Sequence, residues 1–316
     1  MKDKRVKIRS NLKIIALLLI VVVLFAASSI ISPYFLRISN ILNLLVHSSV
    51  LAIMAIGMTY VITSGGLDLS IGSNIAFSGL IGVLFLNYTQ NPWLGMLFCL
   101  VGGGFIGLIN GTMIGYIKIN SFMATLSTLA IARGATMLIT GGRTISVTSR
   151  SFNYLGQGSF LGIPIILYLI PLLYFFFHLV LKKSILGRSI YAIGGNEDAA
   201  NVAGIKTKLI TLFVYLISGL LAGICAIFIV GRVSSVQPWA GLGVEFETIT
   251  AVVLGGINLA GGEGELLDSF LGVIILAIIL NILALLPISP FYHYMARGMI
   301  MIFAIFIYGR LQKYGV

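Results

Sequence analysis

Long apolar stretches follow one another along the whole chain, separated by short polar or glycine-rich breaks. A helix crossing the hydrocarbon core needs about 20 mostly apolar residues. That window finds ten stretches, at about residues 12–32, 41–63, 71–87, 92–117, 119–140, 161–181, 209–231, 246–260, 266–288 and 293–309. The third and eighth are short, and the fifth contains Arg133. The pattern predicts an all-α polytopic membrane protein of about ten transmembrane helices, a single transmembrane domain over residues 1–316. The first apolar run, 14–31, is longer than a signal-peptide core and is not followed by a small-x-small cleavage site, so it reads as an uncleaved anchor helix.

Composition sharpens this. The chain is 59% hydrophobic and 9% charged with a mean hydropathy of +1.08, whereas a soluble domain carries about 25% charged residues. A water-soluble fold is excluded, and lipid is the solvent for most of the chain. The net charge of +11 does not point to nucleic acid, because the cations cluster beside apolar segments as the positive-inside rule expects. With ten spans and an inside N-terminus, the basic segment 1–13, Lys118, the loop at about 182–208 and the tail with Arg310 and Lys313 share the inner side. Fourteen of the 20 basic residues then lie inside, against Arg37, Arg143, Arg150 and Arg232 outside. Both termini are therefore expected on the cytoplasmic side.

Candidate chemistry is sparse. The nine acidic residues avoid the middle of the long apolar runs, and ion-coupled carriers need carboxylates there. An ion-coupled secondary carrier is thus the weaker alternative class. His47, His178 and His293 are scattered singly, and Cys99 and Cys225 have no ligand spacing, so no metal site is expected. Nucleophile-elbow, zinc-protease and phosphate-loop motifs are missing, so neither catalysis nor an ATP site is expected in this chain. Arg133 and Arg297 read as structural anchors whose long side chains reach the interface.

Glycine carries more information. Gly103, Gly107, Gly111 and Gly115 recur every four residues and leave one helix face bare for close backbone contact, which favours packing within the chain. Gly65-Gly66-Leu67-Asp68-Leu69-Ser70-Ile71-Gly72 and Gly255-Gly256-Ile257-Asn258-Leu259-Ala260-Gly261-Gly262 look alike and end apolar segments on the same side. Paired glycines break a membrane helix; the two stretches read either as corresponding breaks in two repeats or as coincidence in a chain with 37 glycines. In the inner loop, Gly194, Gly195, Asn196, Glu197, Asp198, Ala199, Ala200 and Gly204 predict a short capped helix. Asn196 is the N-cap, Glu197 and Asp198 occupy the positive first turn, and Gly204 is the left-handed stop. Such a helix reads either as a surface shaped to sit in a groove of another protein or as a short interfacial helix. Asn74, Ser78, Asn110, Thr125, Ser127 and Thr128 are candidate path residues for a neutral hydroxylated cargo, or else interhelical hydrogen-bonding groups.

Three blocks, 57–73, 191–205 and 251–262, with a weaker fourth at Gln237-Pro238, Gly241 and Gly243, resemble the permease subunit of bacterial ribose-, xylose- and arabinose-type ABC importers. That family lies in the larger group of branched-chain amino acid, sugar and nucleoside permeases. The resemblance implies two membrane subunits, most simply a homodimer, a separate ABC ATPase subunit that holds ATP and magnesium, and an extracytoplasmic substrate-binding protein. It implies a bacterial cytoplasmic (inner) membrane as the location and a ribose-like sugar as cargo, with a nucleoside or furanose-like signal molecule as the alternative. Glu263, Glu265 and Asp268 depart from the family pattern, and they are expected at the partner ATPase.

Overall fold

The computed structural model describes residues 2–313; the basic side chains of Lys2, Lys4, Arg5, Lys7, Arg9, Arg310 and Lys313, which the orientation argument used, lie outside the described residues. Its helices are α1 (Lys2–Ile31), α2 (Ile38–Thr63), α3 (Ile71–Thr89), α4 (Pro92–Gly115), α5 (Ser121–Thr140), α6 (Arg150–Gln157), α7 (Ile165–Lys183), α8 (Ile185–Gly195), α9 (Glu197–Val202), α10 (Thr207–Val233), α11 (Val244–Leu254), α12 (Leu266–Leu285) and α13 (Pro290–Lys313). Two short antiparallel ribbons join them. One pairs β1 (Ile145–Ser146) with β4 (Ser235–Val236), the other β2 (Ser159–Phe160) with β3 (Ile163–Pro164).

Among the described residues eight helices are long and apolar enough to cross a membrane: α1 from Leu12, α2, α3, α4, α5, α7, α10 and α12. The stretch expected at 246–260 behaves differently. It is helical only in α11, whose 11 residues rise about 16 Å, half of the roughly 30 Å hydrocarbon core. Apolar composition continues past Leu254, but the glycines there stop the helix. The inner loop at 182–208 also holds more than one short helix. Ser184 accepts a hydrogen bond from the Gly187 amide at 3.1 Å and starts α8, a full helix before α9.

Helix α2 forms the centre, with Leu51 to Thr63 buried throughout. Tyr60 donates to the Phe177 carbonyl at 2.7 Å and Tyr174 donates to the Ala52 carbonyl at 3.0 Å, tying α7 to this axis. The glycine face of α4 is used inside the chain. A β-carbon at Gly107 would lie 3.2 Å from the Gly219 α-carbon, and one at Gly111 would lie 2.7 Å from that of Leu212. The α4–α10 pair thus packs backbone on backbone, the contact available where lipid gives no hydrophobic drive.

The bundle has two distinct ends. At one, Lys118 pairs with Glu197, Lys182 lies 3.6 Å from Glu265, and Lys13 reaches Asp268 at 2.7 Å. At the other stand both ribbons and the Arg232–His47 contact of 3.1 Å.

Candidate functional site: a glycine junction and two segments that enter the bundle

Helices α2 and α11 end in the same way. The Gly65 amide donates to the Ile62 carbonyl and the Gly66 amide to that of Val61, at 2.8 and 2.9 Å. The Gly256 amide donates to Val253 and the Ile257 amide to Val252, at 2.7 and 3.2 Å. With φ of +84° at Gly65 and +79° at Gly256, both are Schellman stops, which need a left-handed residue after the C-cap. The matched glycines are therefore Gly65 and Gly256, one residue out of step with the sequence pairing of Gly65 with Gly255. Each turn continues into an Asx turn. Asp68 Oδ1 accepts from the Ser70 amide at 3.0 Å, and Asn258 Oδ1 accepts from the Ala260 amide at 2.9 Å.

The three sequence blocks meet at one point. The Gly262 amide donates to the Thr63 carbonyl at 2.9 Å. A β-carbon at Gly194 would strike that same carbonyl, and one at Gly261 would stand 2.9 Å from the Gly65 α-carbon. Residues that were only separate motifs thus form a three-way backbone junction at the end of the bundle that carries α8 and α9. Lys13 closes its flank by donating to the Gly256 carbonyl at 2.8 Å and to Asp268 at 2.7 Å. Tyr191 donates to the Gly264 carbonyl at 2.6 Å; burial first, then the Glu265 and Asp268 carboxylates, push its hydroxyl up to about 12. Glu265 and Asp268 therefore have partners within this chain, Lys182 and Lys13, while Glu263 is exposed.

From the junction projects α9. The Asn196 side chain accepts from the Ala199 amide at 2.9 Å, Glu197 and Asp198 fill the first turn, and Gly204 follows with φ of +85°. Ala200 is buried, whereas Gly195, Asn196, Asp198, Ala199 and Gly204 are exposed. Val202, which the sequence did not single out, is 90% exposed. It is an apolar side chain on an otherwise small, polar helix, and among the described residues nothing covers it.

Beyond the junction two non-helical segments enter the bundle. Residues 64–70 turn inward rather than running along the surface, and Asp68 and Ser70 are buried. Asp68 accepts from the Ser70 hydroxyl at 2.6 Å and from Ser218 of α10 at 2.8 Å. Asn110 donates to the Ser70 hydroxyl at 2.8 Å, and Thr128 donates to Asn110 Oδ1 at 2.7 Å. The Leu67 carbonyl accepts from Thr125 and Tyr215, at 3.3 and 3.1 Å. Asn74 donates to the Gly103 carbonyl at 3.2 Å and accepts from Ser78 at 2.9 Å. Of the six expected path residues, Asn110 and Thr128 thus join Asp68, Ser70 and Ser218 in a buried polar spine, Thr125 holds the Leu67 carbonyl beside it, and Asn74 with Ser78 forms a separate buried pair on the Gly103 carbonyl; Ser127 stands apart, bonded to the Met123 carbonyl of its own helix.

The second segment, 237–243, runs from β4 to α11 beside α3. A β-carbon at Gly72 would strike the Gly241 carbonyl and Glu245 Oε2. Arg133 does not reach for the interface: it donates to the carbonyls of Pro238 and Ala240 at 2.6 and 2.9 Å and fixes this segment. Arg297 pairs with Glu247 at 2.8 Å. Glu245 is 4% exposed and its Oε2 has no hydrogen-bond partner among the described residues. Ser70 stood inside the first glycine block but was not singled out, and Ser218, Tyr215 and Glu245 were missed because each looks like an ordinary residue of an apolar helix or its edge. Among the described residues no group of three His, Cys, Asp or Glu side chains is placed to hold a metal ion.

The family described as branched-chain amino acid transport system / permease component matches residues 40–305. The ribose import permease protein of Haemophilus influenzae is 37% identical over 288 residues, 90% of this chain and 89% of that protein. The L-arabinose transport system permease protein of Escherichia coli is 36% identical over 297 residues, 94% and 90% of the two chains. The ribose import permease protein of Bacillus subtilis is 36% identical over 281 residues, 88% and 87%. The chain belongs to this permease-component family and is a multi-pass membrane protein, a transport subunit rather than an enzyme.

Proposed function

From that membership we propose that the chain is the membrane-spanning subunit of an ATP-driven ABC importer in the bacterial cytoplasmic membrane, and that it passes a small neutral sugar, ribose-like, delivered by a substrate-binding protein. The observation that carries the reading is the naming of relatives as ribose and arabinose permeases at 36–37% identity over most of both chains. Ten crossings with both termini in the cytoplasm, one of them made by the segment 237–243 together with the half-length α11, suit the distribution of basic residues. ATP and magnesium belong to a partner ATPase, which docks on α9 and its exposed Val202. Movement of that helix reaches the glycine junction through the short α8–α9 link, and from there the segments 64–70 and 237–243. A homodimer supplies one such helix to each of two ATPase modules.

The test is uptake by proteoliposomes carrying this chain with its ATPase and binding protein. Labelled ribose is expected to enter only with internal ATP, and Ala199→Phe, on the exposed face of α9, to abolish uptake while ribose binding to the binding protein persists. Uptake that survives loss of the ATPase and collapses with an ionophore would overturn the proposal.

A further inference from the structure

Beside the junction, the last turn of α7, helix α8 and the start of α12 enclose a cleft of about 240 Å³ lined by His178, Leu181, Lys182, Tyr191, Glu265 and Leu266. Nothing in the proposed transport cycle uses it. Its position is specific. On α7, Pro171, Phe175, His178 and Lys182 follow the i, i+4, i+7, i+11 spacing of one helix face. That face reads apolar, apolar, imidazole, ammonium toward the cleft. Phe175 is 65% exposed, and Leu172 and Phe176 beside it are exposed as well, so the apolar part is a lipid-facing surface ending at a polar opening.

The charges at the opening are loosely satisfied. Lys182 and Glu265 stand 3.6 Å apart with both side chains partly exposed, beyond hydrogen-bonding distance and in a setting where an ion pair contributes little. Lys183 and Arg188 add positive charge nearby, both exposed. His178 makes no hydrogen bond among the described residues. An amphiphile with a negative head and apolar tails matches this arrangement from end to end, as basic recesses between helices at a membrane surface match lipid headgroups.

We propose that the cleft binds the phosphate headgroup of an anionic phospholipid, with Lys182 and His178 on the phosphate and the acyl chains along the Phe175 face of α7. The occupied cleft holds α7 against α8 next to the Tyr191–Gly264 hydrogen bond, and so steadies the link between the docking helix and the junction. This rests on the membrane placement of the chain and on no particular cargo, so a failure to carry ribose leaves it standing.

The experiment is native mass spectrometry of the purified full-length chain with phosphatidylglycerol, phosphatidylethanolamine, or inorganic phosphate as competitor. The two lipids share the phosphate and differ in the ethanolamine ammonium, which Lys182, Lys183 and Arg188 disfavour, so phosphatidylglycerol is expected to be retained about tenfold over phosphatidylethanolamine, a difference of about 1.4 kcal/mol. Lys182→Ala and His178→Ala are each expected to reduce that ratio toward one, Lys183→Ala to reduce it less, and Glu265→Gln to raise it. Lys182 is exposed, so its variant folds, and an unchanged melting temperature checks this. Equal retention of the two lipids, retention unaffected by Lys182→Ala, or displacement of the lipid by millimolar inorganic phosphate would each overturn the proposal, the last by making the cleft a site for free phosphate.

Discussion

The segments after Gly65 and Gly256 leave their helices through the same stop and the same Asx turn, yet they end in different surroundings. Residues 64–70 turn into the bundle, where Asp68 and Ser70 are buried; residues 257–265 stay at the end, with Asn258 half-buried and Ala260 and Glu263 exposed. Turn chemistry therefore sets how a helix ends, not where the chain goes next. The side chains just past each stop decide its path. Leu67 and Leu69 have apolar counterparts in Ile257 and Leu259, so the difference lies in the charges: the single carboxylate of Asp68 finds two hydroxyls and an amide inside the bundle. The second segment carries Glu263 and Glu265, two carboxylates for which the interior offers no comparable set of donors, and burying an unpaired charge is costly. The inward segment builds the polar spine; the outward one walls the junction and meets the cations Lys13 and Lys182.

The largest effect is expected where the two segments share a wall. Gly194 lies against the Thr63 carbonyl and 2.5 Å, measured from an added β-carbon, from the Gly262 amide. Both neighbours are backbone, so neither can rotate away. Gly194→Val is expected to cost more than the about 1–3 kcal/mol of ordinary overpacking and to remove most of the folded protein recovered from membranes. Gly195 is exposed with open space around it, and Gly195→Val is expected to be recovered like wild type. Equal recovery of the two variants would show that the junction is not a rigid contact.

Asp68 gives the next effect. Asp68→Ala leaves the Ser218 hydroxyl and the Ser70 amide without their acceptor in a buried site, a loss of about 2–3 kcal/mol. Asp68→Asn keeps one acceptor oxygen but turns a donor toward another donor, and is expected to cost about 1 kcal/mol. Thermal melting of the detergent-purified chain reads both. If Asp68→Ala melts like wild type, burial of the inward segment does not depend on its carboxylate.

Local chemistry was legible in the sequence where it depends on neighbours along the chain. The α9 cap came out residue by residue, from Asn196 to Gly204, because capping is decided within one turn. The bare face of α4 was legible because a four-residue repeat maps directly onto one side of a helix. Hidden was everything set by distant contacts. The three glycine blocks lie far apart in sequence, and nothing local says that Gly194 abuts Thr63 and Gly262. The shortness of α11 was obscured by apolar composition, which continues through Ile257 and Leu259 after the backbone has left the helix. Arg133 looked like an interfacial anchor because its partners, the Pro238 and Ala240 carbonyls, sit over a hundred residues away.

The smallest effect is expected at Asn258, the outward counterpart of Asp68. Its side chain supports one Asx-turn bond to the Ala260 amide, and the site is open enough for water to replace that bond. Asn258→Ala is expected to cost about 0.5–1 kcal/mol, the net worth of one exposed hydrogen bond. Asn258→Asp retains the acceptor, and its new charge faces solvent rather than apolar side chains. Repulsion from Glu263 and Glu265 is offset by Lys13 and Lys182, so the change is expected to stay within about 0.5 kcal/mol. The reciprocal pair, Asp68→Asn and Asn258→Asp, tests the comparison directly, since it exchanges the two side chains without altering either glycine stop. If burial separates the two segments, the loss of melting temperature is larger at 68 than at 258. Equal losses would mean that turn geometry alone governs both, and that the inward path of 64–70 has another cause.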